Sequence, residues 1–239
     1  MLTKLPGKSI KNYRMIKRIG EGRFSVTYLA INDQNKKVVI KRFKRKVIKK
    51  NDFQIEDEAV ILSQMNHPSI PELLGIINQD KFYGFVLELM PGETVDSLLF
   101  RHKYSFSETE IRIIGYQLIQ ILKYLHERGI VHGDIRIPNV LIDDNNRVSL
   151  VDFGLADWAG HNHITYDQDF SYFGDFLMYL HYSSFNGKQR KKGPWYEELD
   201  LSYDQVYFYK RLLRLEEPYT RIEEVEKDFL KVYSDDNSR

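Results

Sequence analysis

The chain changes its hydrophobic period once, and that change limits the folds open to it. Before Met90-Pro91-Gly92, β-branched and aromatic residues gather in short runs at 13–19, 26–31, 37–43, 73–78 and 82–88. Gly20-Glu21-Gly22 and Asn32-Asp33-Gln34-Asn35 punctuate them, which reads as antiparallel strands joined by turns. One helical pattern interrupts the strands, from residue 52 to 65, and His67-Pro68 stops it. After the break the period is helical. Ser107-Glu108-Thr109-Glu110 has the form of a capping box, and Ile111, Ile114, Leu118, Ile121 and Leu125 then recur at three- to four-residue spacing up to Gly129. Residues 140–142 and 148–151 read as short strands around a turn. Residues 170–182 are apolar or aromatic nearly all round, which predicts a helix buried at the centre of its lobe. The pattern predicts an α+β fold of two lobes with a cleft between them. Residues 1–90 form a five-stranded sheet with one helix, residues 91–239 a mainly helical part, and together they make one domain.

With 42% hydrophobic and 29% charged residues the chain reads as globular, and its 239 residues bury a core without staples. It has no cysteine, so disulfides, thiolate metal sites and a cysteine nucleophile are excluded. Residues 1–20 are basic but lack the apolar core of a signal peptide, and no apolar run is long enough to span a membrane. A cytoplasmic protein is expected. The net charge of +1 conceals a split: residues 1–50 hold sixteen Lys/Arg against Glu21 and Asp33, leaving nineteen basic and thirty-two acidic residues in the rest. Nine of the basic residues lie between Lys36 and Lys50. Such a stretch is either a solvated face or a surface for an acidic partner.

Four separated features carry chemistry. Gly20-Glu21-Gly22-Arg23-Phe24-Ser25 lies in a turn between two strands, where glycine lets backbone approach phosphate. A dinucleotide fingerprint would need a strand leading into a helix. Lys41 ends Val38-Val39-Ile40-Lys41 and shares a strand face with Val39, so it points inward and needs a partner. Glu58, with Leu62 and Met65, lies on the apolar stripe of the following helix and is that partner. The third feature is His132-Gly133-Asp134-Ile135-Arg136-Ile137-Pro138-Asn139, and the fourth is Asp152-Phe153-Gly154. Asp152 and Asn139 offer oxygen ligands of the kind magnesium takes. Asp134 is left to position an attacking hydroxyl and accept its proton, and Arg136 to offset phosphoryl charge. His161 and His163 lie in a polar loop and read as solvent-exposed rather than as a metal site. Trp195 reads as a loop anchor.

From about residue 13 to residue 233 the chain resembles the eukaryotic-type protein kinase superfamily. Gly20 and Gly22 resemble the glycine-rich loop, Val38-Val39-Ile40-Lys41 the VAIK strand, and Glu58 the helix-C glutamate. Leu87-Glu88-Leu89-Met90 resembles the hinge. Residues 132–139 resemble the catalytic loop, Asp152-Phe153-Gly154 is DFG, and Asp169 resembles the aspartate that caps the catalytic loop. Leu212-Leu213, Glu217-Pro218 and Arg221 resemble the late LL-x-x-D-P-x-x-R pattern. The resemblance implies ATP and Mg2+ as cofactors. Nucleotide would be bound by Gly20, Glu21, Gly22, Thr27, Val39, Lys41, Glu58, Glu88, Met90 and Leu141, and metal by Asn139 and Asp152. Asp134, Lys41 and Arg136 would be catalytic, and the acceptor would be a hydroxyl, of serine or threonine in a protein.

Departures from the pattern narrow the expectation. Gly133 replaces the arginine that reads a phosphorylated activation loop in relatives. Only fourteen residues separate Gly154 from Asp169, and they contain no APE, so Arg221 lacks its usual glutamate partner. Thr27 replaces a valine, Val39 an alanine, and Arg136 the lysine of serine/threonine kinases. The shortened segment and the HGD form resemble small-molecule phosphotransferases and compact Bud32-like kinases. A small-molecule kinase and a nucleotide-binding pseudokinase scaffold are the alternatives.

Overall fold

A computed structural model describes residues 6–48, 53–79, 82–185 and 193–234. The chain divides into two compact units, Met1–Met90 and Pro91–Arg239. It is of the α+β class, and among the described residues no helix is long and apolar enough to cross a membrane.

The first unit is a six-stranded antiparallel sheet. Its strands are β1 (Ser9–Ile10), β2 (Tyr13–Glu21), β3 (Ser25–Asn32), β4 (Lys37–Phe43), β5 (Leu73–Gln79) and β6 (Phe82–Glu88), in the order β1-β2-β3-β4-β6-β5. Two helices lie between β4 and β5: α1 (Arg45–Ile48) and α2 (Phe53–Ser63). The β3–β4 turn forms because the Asn32 side chain accepts from the amides of Gln34 (3.0 Å) and Lys36 (2.8 Å), while Asn35 takes the left-handed φ of 58°. Alternation along β3 and β4 sorts the sheet into two faces. Met15, Val26, Tyr28, Ala30, Val38, Ile40, Ile77, Phe82 and Val86 pack together on one. Gly84 is required where β6 crosses β4, because a Cβ there would lie 2.6 Å from the Lys41 carbonyl oxygen. The first strand and α1 were not anticipated from sequence. A two-residue strand and a one-turn helix are too short to show a period. Asp52, the expected start of the helix, lies outside the described residues.

The second unit begins with β7 (Glu93–Thr94) and α3 (Val95–Phe100), followed by the long helix α4 (Glu108–His126). The capping box of α4 forms as its sequence predicts: Ser107 Oγ accepts from the Glu110 amide at 3.3 Å, and the Glu110 carboxylate accepts from the Ser107 amide at 2.8 Å. Ile111, Ile114, Leu118, Ile121 and Leu125 are all buried, and Gly129 turns the chain out with φ 71°. Next come β8 (Ile130–Val131), β9 (Val140–Ile142), β10 (Val148–Leu150) and β11 (Asp157–Trp158). They form two small antiparallel sheets, β10-β9-β7 and β11-β8. A 3-10 turn at His161–His163 leads into α5 (Tyr166–Ser183), followed by α6 (Trp195–Glu198), α7 (Tyr203–Leu212) and α8 (Ile222–Val232). Helix α4 packs on α8 at Gly115, where a Cβ would meet the Phe229 ring at 2.6 Å. Trp195 stacks edge-on against Tyr209 at 5.9 Å, the anchoring role expected of it.

One expectation needs correcting here. Helix α5 is not buried all round. Phe170, Phe173, Phe176, Leu177 and Leu180 enter the core, but Asp175 and Tyr179 stand at the surface. Aromatic content alone had suggested burial, yet tyrosine is amphipathic and tolerates a half-wet helix face.

Candidate active site

In the first unit, Lys41 sits opposite Thr27 on β3 and Phe85 on β6, and Thr27 in turn lies opposite Gly20. Leu29, Val39 and Leu87 form the next row. Gly20, Thr27, Val39 and Lys41 therefore share one sheet face, the one opposite the Met15–Val86 cluster. On that face the Lys41 ammonium meets Glu58 of α2 at 2.5 Å, with side chains only 7% and 2% exposed. The pair expected from two separate periodicities is formed. It lies beside the Phe43 and Phe85 rings, which pack edge to face at 4.8 Å.

The glycine turn is tighter than its sequence suggests. Gly20 and Glu21 end β2, and only residues 22–24 lie outside the ladder. The Gly22 amide is taken by the Ser25 carbonyl at 3.0 Å, so the donors at the tip are the amides of Arg23 and Phe24. Glu21 is held between Arg18 (2.6 Å) and Lys44 (2.9 Å), and Lys44 also donates to the Gly22 carbonyl at 2.8 Å. Hydrogen bonding and attraction from Lys44 keep the Glu21 carboxyl below the usual carboxylate range. Lys44 is thus part of this turn and not a loose surface cation. Of the basic stretch, Lys36, Lys37, Arg45 and Lys46 are exposed, while Lys49 and Lys50 lie outside the described residues. Glu88 is exposed, its amide bonded to the Glu72 carbonyl at 2.9 Å, and Met90 is buried.

In the second unit the chemistry hangs from Asp169, which is fully buried. Its carboxylate accepts from the backbone amides of His132 (2.9 Å) and Gly133 (2.8 Å) and contacts His126 Nε2 at 3.0 Å. Two peptide groups of the loop are thereby fixed from α5. Gly133 has φ 71°, and a Cβ there would stand 2.9 Å from the Leu155 carbonyl oxygen. The glycine is thus demanded both by its left-handed backbone and by the close approach of residue 155. His132 is buried, and desolvation drives its imidazole below the ordinary histidine range, leaving it neutral. Its Nδ1 accepts from the Asp134 amide at 3.3 Å, which assigns the proton to Nε2, and its ring meets Phe153 edge-on at 4.7 Å.

Asp134 is held from two sides. Arg136 forks onto it, Nε to Oδ1 at 2.5 Å and Nη2 to Oδ2 at 2.7 Å. Asn139 Nδ2 donates to Oδ2 at 2.8 Å and to the Asp134 carbonyl at 2.9 Å. Hydrogen bonding to Asp134 raises the Arg136 guanidinium further above its ordinary range. A carboxylate offers about four lone-pair sites, and among the described residues these three bonds leave one on Oδ1 for a further donor. Because Asn139 spends its Nδ2 on Asp134, its Oδ1 faces away and suits a hard cation. The Val151 amide donates to the Asn139 carbonyl at 2.9 Å, which brings Asp152 alongside. Asp152 is exposed and adopts φ 65°, a left-handed backbone uncommon outside glycine that turns its carboxylate out of the strand line. Asn139 and Asp152 thus fit magnesium in donor type and adjacency. Leu141, half-buried in β9, lies opposite Thr94 and Ser149.

Sequence reasoning missed one node. Asp157 accepts from Asn162 (2.9 Å) and from its neighbour Trp158's amide (2.8 Å), and contacts His161 Nδ1 at 2.8 Å. Burial would raise the Asp157 carboxyl, but these bonds outweigh it and hold the group low. Asp157 thus puts a carboxylate beside His161, although among the described residues no group of three metal-ligating side chains forms. Only the Asp-x-x-x-His spacing hinted at it. Arg221, without an APE glutamate, pairs instead with Glu223 at the surface at 3.3 Å.

Comparison with known proteins bears on the same residues. The protein kinase domain family matches residues 13–173. A relative named probable serine/threonine-protein kinase YbdM, from Bacillus subtilis (strain 168), is 33% identical over 226 residues, covering 90% of this chain and 87% of the relative. Cyclin-dependent kinase F-4 of Oryza sativa subsp. japonica is 37% identical over 145 residues, 60% of this chain and 31% of the relative. Hormonally up-regulated neu tumor-associated kinase of Homo sapiens is 34% identical over 158 residues, 64% of this chain and 22% of the relative. The chain therefore spans less than a third of the last two and most of the first.

Proposed function

Since the chain belongs to the protein kinase family and is a protein-kinase-like phosphotransferase, we propose that it moves the γ-phosphoryl group of ATP, with Mg2+, onto a serine or threonine hydroxyl of a protein. The observation that carries this reading is the Asp134 network: a carboxylate oriented by Arg136 and Asn139, on a loop fixed by Asp169, with one lone pair left over. Asp134 positions the acceptor hydroxyl and takes its proton as the new P–O bond forms. Arg136, which forks onto Asp134, would offset charge on the transferred group. Lys41, oriented by Glu58, would hold nucleotide phosphate, and the Arg23 and Phe24 amides would cover it. In the first unit, Thr27, Val39 and the Glu88–Met90 backbone would receive the base. Asn139 and Asp152 would hold magnesium, which would supply charge neutralisation on the phosphates.

Gly22 supports a nucleotide reading independently. A Cβ at this position would meet nothing within 4 Å, and its φ is not left-handed. Neither packing nor backbone strain calls for glycine there, whereas close approach of a ligand does. The Bacillus relative, named a probable serine/threonine-protein kinase, supports the serine/threonine acceptor. A small-molecule acceptor is favoured by one observation, the short span between Gly154 and α5. Cytoplasmic ATP is the intended donor, and an acidic partner for Lys36, Lys37, Arg45 and Lys46 remains part of the proposal.

Incubation with labelled ATP and Mg2+, followed by separate analysis of protein and small-molecule products, tests the reading. Wild type is expected to label protein. Asp134→Ala should lower turnover by about 10²–10⁴ while nucleotide affinity changes little. Label found only on small molecules would move the acceptor class. Nucleotide binding without turnover on any acceptor would turn the chain into a scaffold.

A further inference from the structure

The glycine turn of the first unit is braced from one side, and strand register fixes which. Gly20, Thr27 and Lys41 form one cross-strand row, and the next row, Glu21, Val26 and Arg42, faces the other way. Val26 belongs to the apolar cluster around Met15, and so does Tyr28, which lies opposite Arg18. Lys44 continues the alternation of Arg42, its amide extending the ladder to the Phe24 carbonyl at 2.8 Å. The Arg18–Glu21–Lys44 network therefore lies behind the sheet, on the face turned away from the Lys41–Glu58 pair.

The tip of the turn has few other supports. Residues 22–24 stand outside the ladder, and the Gly22 amide bonds within the turn, to the Ser25 carbonyl. The Arg23 guanidinium lies over the Phe24 ring at 5.1 Å, which joins two tip side chains only to each other. Among the described residues, the hydrogen bonds that tie tip carbonyls to the rest of the sheet come from Lys44. Its ammonium donates to the Gly22 oxygen at 2.8 Å and its amide to the Phe24 oxygen. The first of these sets the direction of a peptide group. That peptide is trans, so the Gly22 carbonyl and the Arg23 N–H point opposite ways. An oxygen drawn back toward Lys44 leaves the Arg23 N–H aimed at the front, the face of Lys41. Glu21 Oε1 holds the same ammonium at 2.9 Å, and Arg18 holds Glu21 Oε2 at 2.6 Å.

We propose that Lys44 is a positioning residue for nucleotide phosphate. It acts through the Gly22–Arg23 peptide, keeping the Arg23 amide turned toward the phosphates, with Glu21 and Arg18 as its supports. The proposal rests on the ATP reading above and adds side chains that act on the nucleotide without touching it. An isolated exposed ion pair contributes little to stability. The effect here is on order: residues 22–24 meet the ligand already in place, so less conformational freedom is lost on binding. That benefit falls on the phosphates alone, because an amide at residue 23 offers the base nothing.

The test is calorimetric titration of ATP–Mg2+, and of adenosine, which lacks phosphate, into wild type and three variants, Lys44→Met, Lys44→Arg and Glu21→Gln. Lys44→Met is expected to weaken ATP–Mg2+ about tenfold through loss of the pre-ordered turn, and to leave adenosine within about twofold. Lys44→Arg keeps donors for both oxygens and should recover most of the lost affinity. Glu21→Gln should weaken ATP–Mg2+ about threefold, and should add nothing in the Lys44→Met background, because the two residues act through one ammonium. Thermal melts check each variant, and the near-isosteric Glu21→Gln keeps the test open should Lys44→Met fail to fold. Unchanged ATP–Mg2+ affinity in Lys44→Met, or equal losses for ATP–Mg2+ and adenosine, overturns this inference alone. Wild type that binds neither ligand overturns it together with the nucleotide reading.

Discussion

Lys41 and Glu58 illustrate how a residue's thermodynamic and chemical roles separate. Burying both ions costs desolvation energy that their attraction only offsets, so the pair is a poor stabiliser compared with apolar residues of the same size. Glu58→Ala would leave the ammonium uncompensated and should cost about 3–5 kcal/mol in urea unfolding. The double change Lys41→Met with Glu58→Leu should restore most of that stability while leaving no turnover. Recovery of turnover in the double variant would remove Lys41 from the mechanism. Gly22 provides the reverse case. Gly22→Ala should leave stability within about 0.5 kcal/mol, because the site is open, yet weaken ATP binding severalfold. Calorimetric titration beside a thermal melt separates the two effects, and a loss of both together would return Gly22 to an ordinary turn. Gly133 differs from both, since its methyl group would face left-handed strain of about 1–2 kcal/mol and the Leu155 oxygen. Gly133→Ala should therefore lower the melting temperature and turnover together.

At the scale of elements, α4 and α5 organise the second unit and do so differently. Helix α4 is locally specified, by a complete capping box, a clean apolar stripe and a glycine stop. Ser107→Ala should cost about 1 kcal/mol, measured by chemical unfolding, since it frees one amide and dissolves the reciprocal bond. An unchanged midpoint would show that solvent replaces the cap without loss. Helix α5 serves two masters. Its buried face holds the core and, through Asp169, the loop of residues 132–139, while its outer face is left uncovered by the short preceding segment. The periodicity of α4 was readable because every signal agreed. The outer face of α5 was not, because tyrosine and phenylalanine look alike to a hydrophobic pattern and differ only in what the next segment covers.

At the scale of the whole molecule, two buried histidines that fold in neutral shape the pH response just below neutrality. His181 of α5 bonds the Tyr233 hydroxyl at 2.8 Å, and burial lowers its pKa to about 4. The unfolded chain binds a proton there near pH 6.5, so the unfolded state holds more protons between pH 4 and 6.5. Stability from this group is complete above about pH 6.5 and is lost as pH falls toward 4, by roughly 3 kcal/mol in all. His132 acts in the same direction. Urea midpoints should therefore drop steeply between pH 7 and 4.5, and His181→Gln should flatten part of that slope. An identical slope in the variant would place the acid sensitivity elsewhere.

The elements and the residues that make up the candidate site were largely legible in the sequence, because both depend on short-range order. Period-two runs, one capped helix and the loops carrying Asp134, Asn139 and Asp152 are each written within a few residues. Even the Lys41–Glu58 pair followed from two local periodicities, since two inward charges on neighbouring elements must meet. What only the tertiary structure decided depends on contacts across long stretches of chain. The fork of Arg136 onto Asp134 depends on a loop geometry fixed by Asp169, thirty-five residues further on. The need for glycine at 133 comes from the Leu155 carbonyl, and the shared sheet face of Thr27 and Lys41 from strand register. Side-chain identity fixes what a group can do, but solvent access and neighbours decide whether it does, and those are properties of packing.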